Sequence, residues 1–119
     1  MENNLLKNSV KALLEKKGEN IKILDLRKFK TFADFFIIVS GTSNRHNQTL
    51  ADIVKEDNKI QGFGGCIGEE GYNDGKWILI DYGDIIIHIF DEESRNFYDI
   101  EGFWRDADTI SVESLKIES

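Results

Sequence analysis

Residues 77–90 read WILIDYGDIIIHIF, two strand-length runs around a glycine-bearing turn that are apolar at nearly every position. A strand with one wet face alternates apolar with polar residues, so a pair that does not alternate needs cover on both sides. A turn at Tyr82–Gly83, or a loop of residues 81–84, sets Ile80 opposite Ile85, Leu79 opposite Ile86 and Trp77 opposite His88. Because successive side chains point to opposite faces, one face carries Ile78, Ile80, Ile85, Ile87 and Ile89, a plain β-branched core surface. The other carries Trp77, Leu79, Asp81, Asp84, Ile86, His88 and Phe90, mixing rings and carboxylates with aliphatics. That mixture suits either the edge of a helix-covered core or an interface whose apolar anchor has a polar rim.

The rest of the chain supplies the cover. FFIIVSG (35–41) is a second continuous apolar run and reads as a central strand, and IKILDLR (21–27) as a shorter one. Leu5, Leu6, Val10, Leu13 and Leu14 share one helical stripe that stops at Gly18. A second helix is predicted after Ser43, its N-cap, with Leu50, Ile53, Val54 and Ile60 inward. A short strand is expected near Cys66 and Ile67. EESRNFYDIEGFWRDAD then reads as a helix broken at Gly102, with most of Tyr98, Phe103 and Trp104 facing the core. The class is therefore α/β: a mixed β-sheet of about five strands with helices packed on it. One domain is expected over residues 1–108, followed by a flexible polar, acidic tail over 109–119.

Charge narrows the partners. The chain of 119 residues carries −7 overall, yet residues 1–30 hold eight Lys/Arg against four Asp/Glu, leaving residues 31–119 at −11. Phosphate backbones are repelled by such a field, so little or no direct nucleic-acid binding is expected, whereas a basic protein surface is attracted. No apolar run reaches the length of a membrane span, no secretory leader is recognisable and a single cysteine excludes an internal disulfide. A cytoplasmic location with no membrane partner follows as the expectation.

Catalysis finds little to work with. Neither histidine sits at metal-ligand spacing, and no motif surrounds Cys66, so no metal, cofactor or catalytic residue is expected. SGTSNRH (40–46) is the one suggestive turn: Gly41, Thr42, Ser43 and Arg45 stand where a strand enters a helix, and free N–H groups there can bind an anion. A nucleotidyltransferase would follow that turn with paired acids to hold magnesium. Here only Asp52 lies at a comparable distance, inside the helical pattern. Helix capping is the plainer use of Thr42 and Ser43. A nucleotide-binding enzyme stays as the alternative to a binding protein.

DFFIIVSGTSNRH and WILIDYGDIIIHIF, with ILDLR before them and EESRNFYDIEGFWRDAD after, resemble the ribosomal silencing factor (Iojap) family of bacteria and organelles, in order along residues 5–108. The loop at Gly62–Gly68 and the acidic tail depart from the pattern. The resemblance implies a nucleotidyltransferase-like fold without catalytic acids and no catalysed reaction. It also implies binding to ribosomal protein uL14 on the large subunit, which blocks small-subunit joining and represses translation when nutrients are short. On that reading Trp77, Leu79, Ile86, His88 and Phe90 form the uL14-binding patch, and Asp81, Tyr82 and Asp84 its polar rim. The same apolar face could also make a homodimer contact.

Overall fold

A computed structural model describes residues 3–117. Six strands form one mixed sheet: β1 Glu19–Asp25, β2 Phe35–Gly41, β3 Gly68–Glu70, β4 Trp77–Asp81, β5 Ile85–Asp91 and β6 Asp108–Ile110. Their order across the sheet is β3-β4-β5-β2-β1-β6, with β2 and β5 parallel and the other neighbours antiparallel. The two most continuous apolar runs occupy the two central places, as double coverage demands. Both edge strands are only three residues long, which limits unpaired edge.

One face is sealed by helices α1 (Asn4–Glu15) and α2 (Asn44–Ile60). Ile23, Ile37, Val39, Ile78, Ile80, Ile87 and Ile89 meet Leu6, Val10, Leu13, Leu50 and Val54 there in one cluster. Each fully buried aliphatic side chain contributes about 2 kcal/mol relative to exposure. Asn3 caps α1 by accepting from the Leu6 N–H (3.0 Å), and Ser43 caps α2 by accepting from the His46 N–H (3.0 Å). The stripes are shifted slightly from the predicted ones. Leu14 and Ile60 are exposed, and the buried α2 face runs through Asn47, Leu50, Ala51, Val54 and Asn58 instead. Asn58 can be buried because it is bonded on both sides, accepting from Asn8 (2.8 Å) and donating to Ser9 Oγ (3.0 Å).

Three expectations need correction. The hairpin register is displaced by two: Trp77 faces Phe90, Leu79 faces His88 and Ile80 faces Ile87. The Tyr82 N–H bonds the Ile85 carbonyl (2.9 Å), so the turn is centred on Gly83 and Asp84. Gly83 takes φ +88°, and Asp81 Oδ1 braces it by accepting from its N–H (2.7 Å). A shift of two preserves parity, so the predicted division between faces holds.

The sheet has six strands where about five were expected, because the chain beyond residue 108 is structured. Asp108–Ile110 pairs with β1, a 3-10 turn follows at Glu113–Leu115, and Ile110, Val112, Leu115 and Ile117 pack on the helix-side cluster. The described part of the expected tail thus belongs to the domain; Glu118 and Ser119 lie outside the described residues. Finally, the helix after β5 breaks at Asp99, not Gly102, giving α3 (Glu92–Tyr98) and α4 (Ile100–Phe103). Asp99 adopts a left-handed conformation (φ 47°) and caps α4 through its carboxylate. Among the described residues, no helix is long and apolar enough to cross a membrane.

Candidate interaction face of the sheet

The opposite face of the sheet has thinner cover. Leu24, Phe36, Ile38, Ile86 and Phe90 are buried there, with Trp77, Leu79, Ile100 and Trp104 packed at the margins. Among the described residues its cover comes from the 26–33 segment through Leu26 and Ala33, and from α3 and α4, neither of which has a buried residue. The strap is tied by one polar knot. Arg95 donates through Nε to Glu101 (2.7 Å) and through Nη1 to Ser40 Oγ (2.9 Å), and Lys22 approaches Glu101 at 3.4 Å. Burial opposes ionisation of Glu101, but the Arg95 hydrogen bond and charge, with Lys22, outweigh it and hold the carboxyl below its ordinary range.

Trp77 is the pivot of the exposed part. Its ring stacks on Phe90 (4.9 Å) and leans on Tyr98 (4.7 Å), and its Nε1–H donates to His88 Nδ1 (3.1 Å). An accepting Nδ1 leaves the proton of a neutral imidazole on Nε2. That Nε2 is buried without a hydrogen-bond partner, while the ring sits edge-on to Phe36 at 4.6 Å. Burial pushes the His88 pKa down from 6.5 to about 4. His88 is therefore a neutral post beneath Trp77, and it orients the indole without meeting solvent.

From here ring contacts spread outward. Phe36 touches Phe32 and Trp104, and Trp104 touches Phe29 and Phe103, while Tyr98 touches Phe97 on the other side. Phe97 (80%), Phe103 (78%) and Phe32 (70%) are among the most exposed large apolar side chains in the protein. The expectation that Tyr98, Phe103 and Trp104 mostly face inward is corrected: only Trp104 packs on the buried cluster. Because the helix breaks at Asp99, aromatics spaced along the sequence do not share one inward side. Exposed Asp84, Glu92, Glu93 and Asp99 lie on the same β5–α3–α4 segment and its preceding turn.

The sequence-predicted patch thus splits by depth. Trp77, Leu79 and Asp81 are half-buried and Asp84 is exposed, whereas Ile86, His88 and Phe90 lie underneath as support. Tyr82 leaves the patch: its ring packs on the helix-side cluster, and burial raises its pKa. Phe97 and Phe32 enlarge the patch, and nothing in their spacing alone marks them as exposed.

The other predicted site is built as a cap. The Thr42 N–H donates to His46 Nδ1 (2.9 Å), the His46 N–H to Ser43 Oγ and the Asn47 N–H to the Ser43 carbonyl (2.9 Å). His46 Nε2 in turn bonds the Lys16 carbonyl (2.7 Å), fastening the end of α1 to this turn. Gly41 is buried at the end of β2, and Arg45 is exposed. The Thr42 and His46 N–H groups, two of the donors an anion could use there, are engaged internally. Among the described residues no group of three or more His, Cys, Asp or Glu could hold a metal ion.

A sheet sealed by two long helices on one side, and carrying two short helices with exposed rings on the other, defines an α/β domain with one thinly covered face. The family model for ribosomal silencing factor during starvation (RsfS) matches residues 1–119, and the chain belongs to that family. Ribosomal silencing factor RsfS of Halalkalibacterium halodurans is 35% identical over 111 residues, spanning 93% of this chain and 94% of the relative. A solved structure from Chromobacterium violaceum superposes with a TM-score of 0.80 at 35% identity, covering 84% of this chain and 82% of that one. More distant, a mouse protein named for mitochondrial assembly of the ribosomal large subunit is 27% identical, covering 80% of this chain and 42% of its own length. The bacterial name describes a regulatory role.

Proposed function

We propose that this chain silences ribosomes sterically: its Trp77 face docks on uL14 of the large subunit and keeps the small subunit from joining, repressing translation under nutrient limitation. The observation that carries the reading is the exposed ring cluster of Trp77, Tyr98 and Phe97 near Leu79, with exposed Glu92, Glu93 and Asp99 on the α3–α4 segment and exposed Asp84 at the far end of β5. Aromatic anchors with a charged margin are the composition of binding hot spots. An acidic margin suits a basic protein embedded in RNA, and the −11 of residues 31–119 opposes a broad hold on the surrounding phosphates. The name of the mouse relative supports a link to the large subunit. Such an action in the cytoplasm needs neither cofactor nor catalysed reaction.

Subunit association tests it directly. Purified small and large subunits are mixed under joining conditions and resolved on a sucrose gradient, with and without the protein added first. Loss of the joined particle, with the protein co-migrating on the large subunit, is the expected result. An unchanged joined peak at saturating protein would sink the steric mechanism.

A further inference from the structure

The two parallel strands at the centre of the sheet send the chain to opposite sides. After β2 it enters α2 on the helix-sealed face, and after β5 it enters α3 on the other. Such a divergence opens a crevice at the carboxyl ends of the strands, where open α/β sheets hold their ligands. A recess of about 420 Å³ lies at that end, between Ser40 of β2, the first turns of α3 and the start of β1. A regular strand would present only alternate residues to it. β1 is irregular between Glu19 and Lys22, with Asn20 left-handed at φ 51°, and consecutive Asn20, Ile21 and Lys22 all line the recess.

Arg95 is the inner anchor, its side chain only 11% exposed. A guanidinium has more donors than this one spends within the chain: Nε–H goes to Glu101 (2.7 Å) and Nη1 to Ser40 Oγ (2.9 Å). Among the described residues Nη2 has no partner, and buried Ser40, which accepts from Arg95, keeps its own O–H to donate. Glu101 is compensated twice, by Arg95 on one oxygen and by Lys22 on the other (3.4 Å). The inner part thus sets two cations against one carboxylate and has donors to spare. The outer part has the opposite sign, because exposed Glu92 lines it and makes no ion pair among the described residues.

We propose that this recess binds a free α-amino acid, its carboxylate on Arg95 and Ser40 and its ammonium on Glu92. Arginine offers paired donors that match a carboxylate, and charge-assisted bonds of this kind are the strong ones. A plain anion would leave Glu92 repelling it, and a plain cation would meet Arg95 and Lys22, whereas a zwitterion satisfies both ends. Half-buried Ile21 gives its side chain an apolar wall, and the amides of exposed Asn20 and Asn96 can donate or accept beside it. The site makes no use of Trp77 and stands independently of the uL14 reading.

Nitrogen–proton correlation NMR of the protein, titrated with L-glutamine, L-leucine and L-glutamate in turn, is the test. At least one should move the amide signals of Ser40, Arg95 and Asn96 saturably, with a dissociation constant of about 1 mM or lower, as a ligand of about ten non-hydrogen atoms reaches at ordinary efficiency. Its N-acetyl and carboxamide forms, each lacking one charge, should bind at least about tenfold more weakly. Glu92→Gln, an exposed change that leaves the core intact, should weaken the amino acid about fivefold and leave the N-acetyl form within about twofold. Arg95→Lys should weaken it further, with the melting temperature measured alongside. Absence of saturable shifts with all three amino acids would overturn the proposal, as would equal binding of either blocked form. Tighter binding by inorganic phosphate would do the same, since that would mark a simple anion site.

Discussion

Protonating His88 should unfold this protein more steeply than an ordinary surface histidine could. Its Nδ1 accepts from Trp77, its Nε2 is buried, and the side chain is only 4% exposed. A proton on Nδ1 would confront the indole N–H and place a charge among Phe36, Phe90 and Trp77. With the pKa at about 4 in the fold against 6.5 when unfolded, the unfolded chain binds more protons between those values. Stability from this group is therefore full above pH 6.5 and lost as pH falls toward 4. The full loss is about 3 kcal/mol, of which about 2 kcal/mol falls between pH 7 and pH 5. Urea unfolding followed by circular dichroism at pH 7, 6 and 5 measures it, with His88→Gln as the comparison. Glutamine keeps an acceptor for Trp77 and has nothing to titrate. Asp25 and Glu101, whose ionised forms are held by Arg27 and by Arg95 and Lys22, act in more acid solution and are common to both proteins. Wild type should lose about 2 kcal/mol more than the variant over that range. Equal losses would refute the neutral, buried histidine.

Other consequences follow from the same geometry. Arg95→Ala removes both bonds that tie the α3–α4 strap and strands Glu101 half-buried, which should cost about 2–3 kcal/mol. Amide exchange should rise first in residues 92–103 and not in α1. Ser43→Ala removes the α2 cap and should cost about 1 kcal/mol in denaturant unfolding, with no effect on ribosome binding. Phe97→Ser should alter stability by no more than about 0.5 kcal/mol, because the ring is 80% exposed, yet weaken large-subunit binding about tenfold as a lost anchor. Co-sedimentation with large subunits reads the last effect.

The hairpin shows how much of this was legible in the chain. Alternation in WILIDYGDIIIHIF separated the isoleucine face from the Trp77 face correctly, because side-chain parity survives any even shift of register. It left the cross-strand partners two residues off, since Gly83 can serve as either residue of a two-residue turn and only the Asp81 brace and the Tyr82–Ile85 bond decide between them. Tyr82 was misplaced for the same reason: a residue beside a turn escapes strand parity. Ser43 as a cap was readable from its type and position. Exposure of Phe97 and Phe103 was not, because it depends on the left-handed break at Asp99, and helical spacing alone does not reveal which residue will break. Strand β6 is three residues long and is held by pairing with β1 rather than by its own pattern.

Binding of Trp77→Ala to purified large subunits, and separately to purified uL14, tests the central claim most directly. The variant loses the Phe90 stack and the His88 bond, so its melting temperature is measured alongside, and Asp84→Lys, an exposed change in the rim, serves as a second probe that leaves the core intact. The account predicts that wild type binds both targets and that each folded variant binds both at least about tenfold more weakly. Undiminished binding by both folded variants would move the interface off this face, and failure of wild type to bind either target would contradict the docking account altogether.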